Sequence, residues 1–184
     1  MQDPAIYNAL VALLTYPESD YPQRIEASLE VVPEDCHEQL QQFAAQMRGL
    51  RTDQLQELFT QTFDLNPMCS LELGWHLFGE NYERGLLLVK VREELRRHGL
   101  EESTELPDHL THVLRLVERM EHETAADFVG ACVLPALEKM LHAVRDKKNP
   151  FENVLLAIRS LLRSQFPEIP LTAPETEPLL KVLV

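Results

Sequence analysis

Basic side chains are scarce in this sequence: 17 lysines and arginines stand against 30 aspartates and glutamates, a net charge of −13 with histidine neutral. Such a surface repels nucleic-acid phosphates and anionic lipid headgroups, which excludes nucleic acid as a partner and leaves a basic segment as the favoured one. Cysteine is also sparse. Cys36, Cys69 and Cys132 are odd in number and far apart, which excludes a disulfide framework and a CxxC metal or redox motif and predicts buried free thiols. Only six glycines occur, none in a glycine-rich loop after a strand, and no lysine-serine pair of the phosphate-cradling kind accompanies them. Long apolar runs are missing as well. Ile6 to Leu14 is too short to span a bilayer and lacks the basic start and small-residue cleavage site of a signal peptide, so the expectation is a cytoplasmic chain without direct membrane insertion.

What is present is helical periodicity. At 184 residues and 45% hydrophobic, the chain can fill one core. Asp3-Pro4 opens a first helix that Tyr16-Pro17 stops, a second lies near Gln23 to Val31, and a third after Pro33 carries Leu40, Phe43, Ala44 and Met47 on one face. Thr52 is a candidate cap for the fourth, and Asn66-Pro67 reads as a turn. Ser70 is placed to cap a short helix that Gly79 ends. Asn81 starts the next, whose four adjacent apolar residues Leu86 to Val89 predict a central position. Leu106-Pro107-Asp108 reads as the start of another, with Leu110, Val113, Leu114 and Val117 as its buried stripe. A long pattern from Thr124 to Val144 contains Pro135 as a kink or restart, and Asn149-Pro150 opens a last helix over Phe151 to Leu162. The expectation is an all-α, single-domain bundle of about nine or ten helices over residues 1–165. Residues 166–184, with Pro167, Pro170, Pro174 and Pro178, form a proline-rich extended tail ending in Leu179-Leu-Lys-Val-Leu-Val184.

The densest stretch runs from Phe59 to Leu110. His109 and His112 lie three apart and His76 lies four before Glu80, a spacing that a metal- or nucleotide-dependent enzyme could use, although no HExxH completes it and no metal site is expected. The other reading is a folded corner. Trp75, Leu77 and Phe78 supply apolar area, Gly79 permits a sharp turn, and Gly85 allows another backbone or a bound segment to come close. Arg84 follows closely on Glu80 and Glu83, either pinning the corner through a carboxylate or standing beside aromatics that take up a peptide with apolar and basic side chains.

Thr60-Gln-Thr-Phe-Asp64, His76-x-x-Gly-Glu-x-x-x-Arg-Gly85 and Glu105-Leu-Pro-Asp-His-Leu110 together resemble the NarJ branch of the TorD/DmsD/NarJ redox-enzyme maturation chaperones. The resemblance implies an all-helical chaperone with no catalytic activity and no cofactor of its own. Its client would be the apo alpha subunit of a respiratory nitrate reductase, met through that subunit's N-terminal peptide, with molybdenum cofactor insertion supported and membrane docking delayed. Cofactor-biosynthesis proteins are further implied partners, and the chaperone would be a monomer or weak homodimer. The implied client-binding residues are Phe59, Phe63, Asp64, Trp75, His76, Phe78, Glu80, Glu105, Asp108 and His109, with Gly79, Arg84, Gly85 and Pro107 building the motif. A related branch has been linked to weak guanine nucleotide binding at a motif matched by Glu105, Asp108 and His109, but no phosphate cradle accompanies them here.

Overall fold

Asp3 accepts the Ala5 N–H at 2.9 Å and so caps the first helix, α1 (Pro4–Leu13). The computed structural model describes residues 3–145 and 147–170, and among these every regular element is helical. After α1 come α2 (Tyr21–Val31), α3 (Glu34–Met47), α4 (Thr52–Phe59), α5 (Leu73–Phe78), α6 (Tyr82–Arg97), α7 (Leu110–Arg119), α8 (His122–Phe128), α9 (Leu134–Val144) and α10 (Phe151–Gln165). A π-helical turn, Val129–Val133, joins α8 and α9 into one rod, so the described segments make nine helices, as the periodicity predicts. That turn also accounts for Pro135. The wider hydrogen-bond register falls just where proline has no N–H to donate, and the rod continues without a break.

The core is one contiguous cluster, and α3 against α10 is its most extensive helix pair. Phe151 at the start of α10 meets Phe43, Phe59 and Phe63 at centroid distances of 5.4, 5.6 and 4.9 Å, and Tyr16 closes edge-on against Phe59 at 5.6 Å. Cys36, Cys69 and Cys132 are buried free thiols, as their spacing predicts. Burial pushes them up to about 11, 12 and 12 respectively, so they remain protonated and inert.

Several local expectations are corrected. Thr52 is the first residue of α4; its N-cap is Arg51, whose N–H is taken by the Gln54 side chain at 3.0 Å. Ser70 lies two residues before the N-cap Glu72 of α5 and accepts the Glu72 N–H at 3.4 Å. Leu106-Pro107-Asp108 does not start α7, because Pro107 and Asp108 turn inward and His109 becomes the N-cap. The helix with the four-residue apolar run, α6, is peripheral. Only Leu87, Val91, Glu94 and Leu95 are buried in it, while Tyr82 is 78% and Val89 53% exposed.

Phe166 is fully buried, stacked on His122 at 5.1 Å, so the described start of the C-terminal segment is held on the bundle. The tail expected over 166–184 otherwise lies at residues 171–184, outside the described residues.

Candidate functional site

The corner between α5 and α6 is built from the two longer sequence motifs. Segments 71–73 and 108–110 run antiparallel: Leu73 N–H donates to Asp108 O at 3.1 Å and Leu110 N–H to Leu71 O at 2.8 Å. This two-rung clip brings Asp108 under α5. Its Oδ2 accepts the Gly74 N–H at 2.7 Å, satisfying one of the donors that every helix start leaves unpaired. A Cβ on Gly74 would stand 2.7 Å from that same oxygen and 3.0 Å from Arg84 Cγ, so only glycine fits. Burial raises the Asp108 carboxyl above its usual range despite the Gly74 hydrogen bond.

Arg84 does pin the corner, but not through either of its near neighbours. Its Nη2 donates to Glu72 Oε2 at 2.7 Å, and its guanidinium lies 5.6 Å from the Trp75 ring centroid. Glu80 and Glu83 are exposed. Gly79, at φ +58°, ends α5 in the left-handed region, as its place after Phe78 predicts. At Gly85 nothing among the described residues lies within 4 Å of a Cβ built there, so none of their backbones approaches it, and of the two expected uses the approach of a bound segment is left.

The histidines are engaged within the protein. His76 Nε2 donates to Ser70 O at 2.6 Å, which fixes that tautomer, and burial lowers its pKa. His109 Nδ1 meets Thr111 Oγ1 at 2.7 Å, and burial holds its ring down to about 4. In His112 both nitrogens are used: Nε2 accepts from Ser103 N–H at 3.0 Å, so Nδ1 donates to Leu106 O at 2.9 Å. Among the described residues no three histidine, cysteine or acidic side chains converge as metal ligands. His76, Glu80, His109 and His112 thus form no joint centre.

Beside this corner, between α5 and α9, lies an open cleft of about 570 Å³ lined by Met68, Trp75, His76, Gly79, Glu138, Lys139 and His142. Its size falls in the range of pockets that take a small molecule or a few side chains, about 300 to 1,000 Å³. Trp75 is locked by its indole N–H to Pro67 O at 2.8 Å, and Lys139 ties the far wall to this one by donating to His76 O. Met68 is 63% exposed, so a flexible apolar side chain stands at the surface of the cleft with a fixed aromatic one.

The other implied client-binding residues are distributed differently. Phe59 and Phe63 are buried side chains of the aromatic cluster. Phe78 is half-buried, Asp64 and Glu105 are exposed, and Pro107 is buried. The Thr60 to Asp64 motif forms a π-helical turn whose Thr62 hydroxyl donates to Leu58 O at 2.7 Å and accepts from Asn149 Nδ2 at 2.8 Å. Sequence reasoning missed Gly74, Glu72 and the α9 wall of Glu138, Lys139 and His142. Gly74 had a signal, being a glycine one residue before the chain's single tryptophan; the α9 residues, some 60 positions downstream, had none.

The chain is similar to known proteins over much of its length. The family model described as the nitrate reductase delta subunit matches residues 30–157. Proteins from Escherichia coli K12 and O157:H7, each named nitrate reductase molybdenum cofactor assembly chaperone NarJ, are 30% identical over 123 residues, 62% of this chain and 52% of theirs. The chain therefore spans about half the length of these curated relatives. A probable nitrate reductase molybdenum cofactor assembly chaperone NarJ from Bacillus subtilis 168 is 25% identical over 151 residues, covering 79% of this chain and 78% of its own length.

Proposed function

This chain belongs to the nitrate reductase delta subunit family, and on that basis we propose that it is a non-catalytic chaperone for molybdenum cofactor assembly in a nitrate reductase. In this reading it holds the apo alpha subunit through the subunit's N-terminal segment, keeps it open to cofactor insertion and delays its membrane docking. The molybdenum cofactor is the client's.

The observation that supports this reading best is the α5–α9 cleft, where Trp75 and Met68 stand in walls fixed by the corner motifs. A buried leucine or phenylalanine anchor contributes about 1.5 to 3 kcal/mol, against about 0 to 1 kcal/mol for an exposed ion pair. Apolar side chains of the client therefore supply most of the affinity. The net charge of −13 acts mainly on encounter, drawing in a basic segment and selecting its sign. Among the implied contacts, Trp75, His76 and Phe78 belong with the cleft and its helix, and Asp64, Glu80 and Glu105 with the acidic surface. Asp108, His109, Arg84 and Gly79 act by holding the corner in shape.

Calorimetric titration with a synthetic N-terminal peptide of a nitrate reductase alpha subunit tests the reading. Saturable binding that Trp75→Ala weakens at least about tenfold is the expected result. No heat at micromolar protein, or binding indifferent to Trp75, sinks it.

A further inference from the structure

The α5–α9 cleft has two ends, and they differ in charge. Along its middle the charges are spent within the protein: Glu138 lies 3.4 Å from Arg159, Lys139 donates to His76 O, and Arg84 beside Trp75 is paired with Glu72. The Lys139 contact sets the first half of α9 beside the last turn of α5, which ends at Gly79, and Glu80 beyond it is exposed. Further along α9, Cys69 Sγ donates to Met140 O at 3.8 Å, which seats the neighbouring Met68 against the second half of the helix. Lys147 stands close enough for its charge to be felt at that thiol. The helical steps from Lys139 to Val144 alone part the two ends by about 8 Å.

Bases gather at this second end although the chain as a whole is acidic. Residues 139–148 hold four of the 17 lysines and arginines, Lys139, Arg145, Lys147 and Lys148, together with His142, against one acid, Asp146. His142 lines the cleft, and Arg145 follows three residues on, along the same face of α9. Capping does not account for them. Leu141 O and Val144 O, carbonyls that a helix end leaves open, are taken by the backbone N–H groups of Arg145 and Lys147 at 3.0 and 3.2 Å. The side chains of Arg145, Lys147 and Lys148 are exposed and carry no ion pair among the described residues. Lys148 even holds φ +53°, the one described non-glycine in the left-handed region, where glycine would cost less.

We propose that the cleft is bipolar and takes a peptide segment of matching chemistry: apolar side chains against Trp75 and Met68, an acidic side chain toward Arg145 and Lys147, and a basic one toward Glu80. That the segment belongs to the client rests on the function proposed above; the charge order rests on the cleft alone. The net charge of −13 draws a segment with basic side chains in, and the basic end of the cleft then fixes which way it lies and disfavours one that is basic throughout.

Trp75 is the chain's single tryptophan and lines the cleft, so its fluorescence reports occupancy by peptides that contain none. Three synthetic peptides share an apolar centre of leucine and phenylalanine: one carries lysines on one side and glutamates on the other, one lysines on both sides, and one glutamates on both. The mixed peptide should bind the full chain at least about fivefold more tightly than either of the others, the upper range of one exposed ion pair. Arg145→Glu with Lys147→Glu should remove that advantage and make the all-lysine peptide the tightest. Arg48→Glu with Arg96→Glu, the same change in net charge at exposed positions on other helices, should leave the order as it was. An all-lysine peptide that binds the unaltered chain best, no binding by any of the three, or an order indifferent to Arg145 and Lys147 overturns the proposal. The alpha-subunit N-terminal peptide separates the charge order from the client. If the mixed peptide binds as expected and the alpha-subunit peptide does not, the proposed client fails and the bipolar cleft holds. If the alpha-subunit peptide binds the unaltered chain and binds more tightly to the Arg145→Glu, Lys147→Glu variant, the client holds and the bipolar cleft fails.

Discussion

Helices α10 and α6 have similar lengths and comparable runs of apolar residues, yet they meet opposite surroundings. In α10 the apolar residues recur at helical spacing, and Phe151, Val154, Leu155, Ile158, Leu161 and Leu162 are all buried against α3, α9 and the aromatic cluster. In α6 four apolar residues stand side by side, Leu86 to Val89. Adjacent residues on a helix are about 100° apart, so such a run spreads round the circumference and no single neighbour can cover it. Leu87 is buried, Leu86 and Leu88 are half-buried and Val89 is exposed. Spacing, more than apolar content, decides whether a helix is structural.

The contrast can be broken at four strengths. The largest effect is expected at the centre of the aromatic cluster, where Phe151→Ala should lower the unfolding free energy by about 3 to 5 kcal/mol. Urea denaturation at unchanged slope measures it, and a loss below about 1 kcal/mol would show that the cluster is not closed. Next comes Gly74→Ala. The added methyl has no room beside Asp108 and Arg84, and the cost should be about 1 to 3 kcal/mol. Adding Asp108→Ala should make the pair less than additive, because the clash is then relieved.

Of opposite sign and smaller, Gly85→Ala should stabilise by about 0.5 to 1 kcal/mol, since an exposed helical glycine loses more backbone entropy than alanine. If that stabilised variant binds the client peptide as well as the parent does, no bound segment approaches Gly85 closely. The smallest effect belongs to Val89→Ala, within about 0.5 kcal/mol, against the severe loss at Phe151.

Acidity sharpens the same comparison, because histidines are buried at the corner and α10 carries none. His109 is neutral in the fold down to about pH 4, whereas its unfolded counterpart protonates near 6.5. The unfolded chain therefore binds the proton first as pH falls. The contribution is fully present above pH 6.5 and declines between 6.5 and 4, with His76 shifted in the same direction. Amide exchange over this interval should rise at Leu73 and Leu110, in the clip, before it rises in α10. Simultaneous loss would show the two regions to be one cooperative unit.

The legible parts of the fold are those written in local chemistry. Asp3-Pro4, Gly79 and the proline of Asn149-Pro150 mark helix ends that the structure keeps, since a cap or a left-handed glycine acts within a few residues. Leu106-Pro107-Asp108 carried the same kind of signal and misled. The proline and aspartate that suit a helix start were recruited instead by segment 71–73, whose backbone hydrogen bonds and Gly74 N–H hold Asp108 inside. Arg84 shows the same limit: its sequence neighbours Glu80 and Glu83 face solvent, and its partner Glu72 comes from the preceding helix cap.

By itself, then, the sequence determined the helical class, the inert thiols, the buried stripes of α7 and α10, and the motifs that mark the family. All of these depend on residue type and on spacing within one or two helical turns. Only the tertiary structure decided that Phe59 and Phe63 are core, that α6 lies at the periphery, and that Trp75 faces Glu138, Lys139 and His142 across a cleft. Those placements join residues about 60 to 90 positions apart, and no local rule specifies which distant helix will arrive to cover a given face.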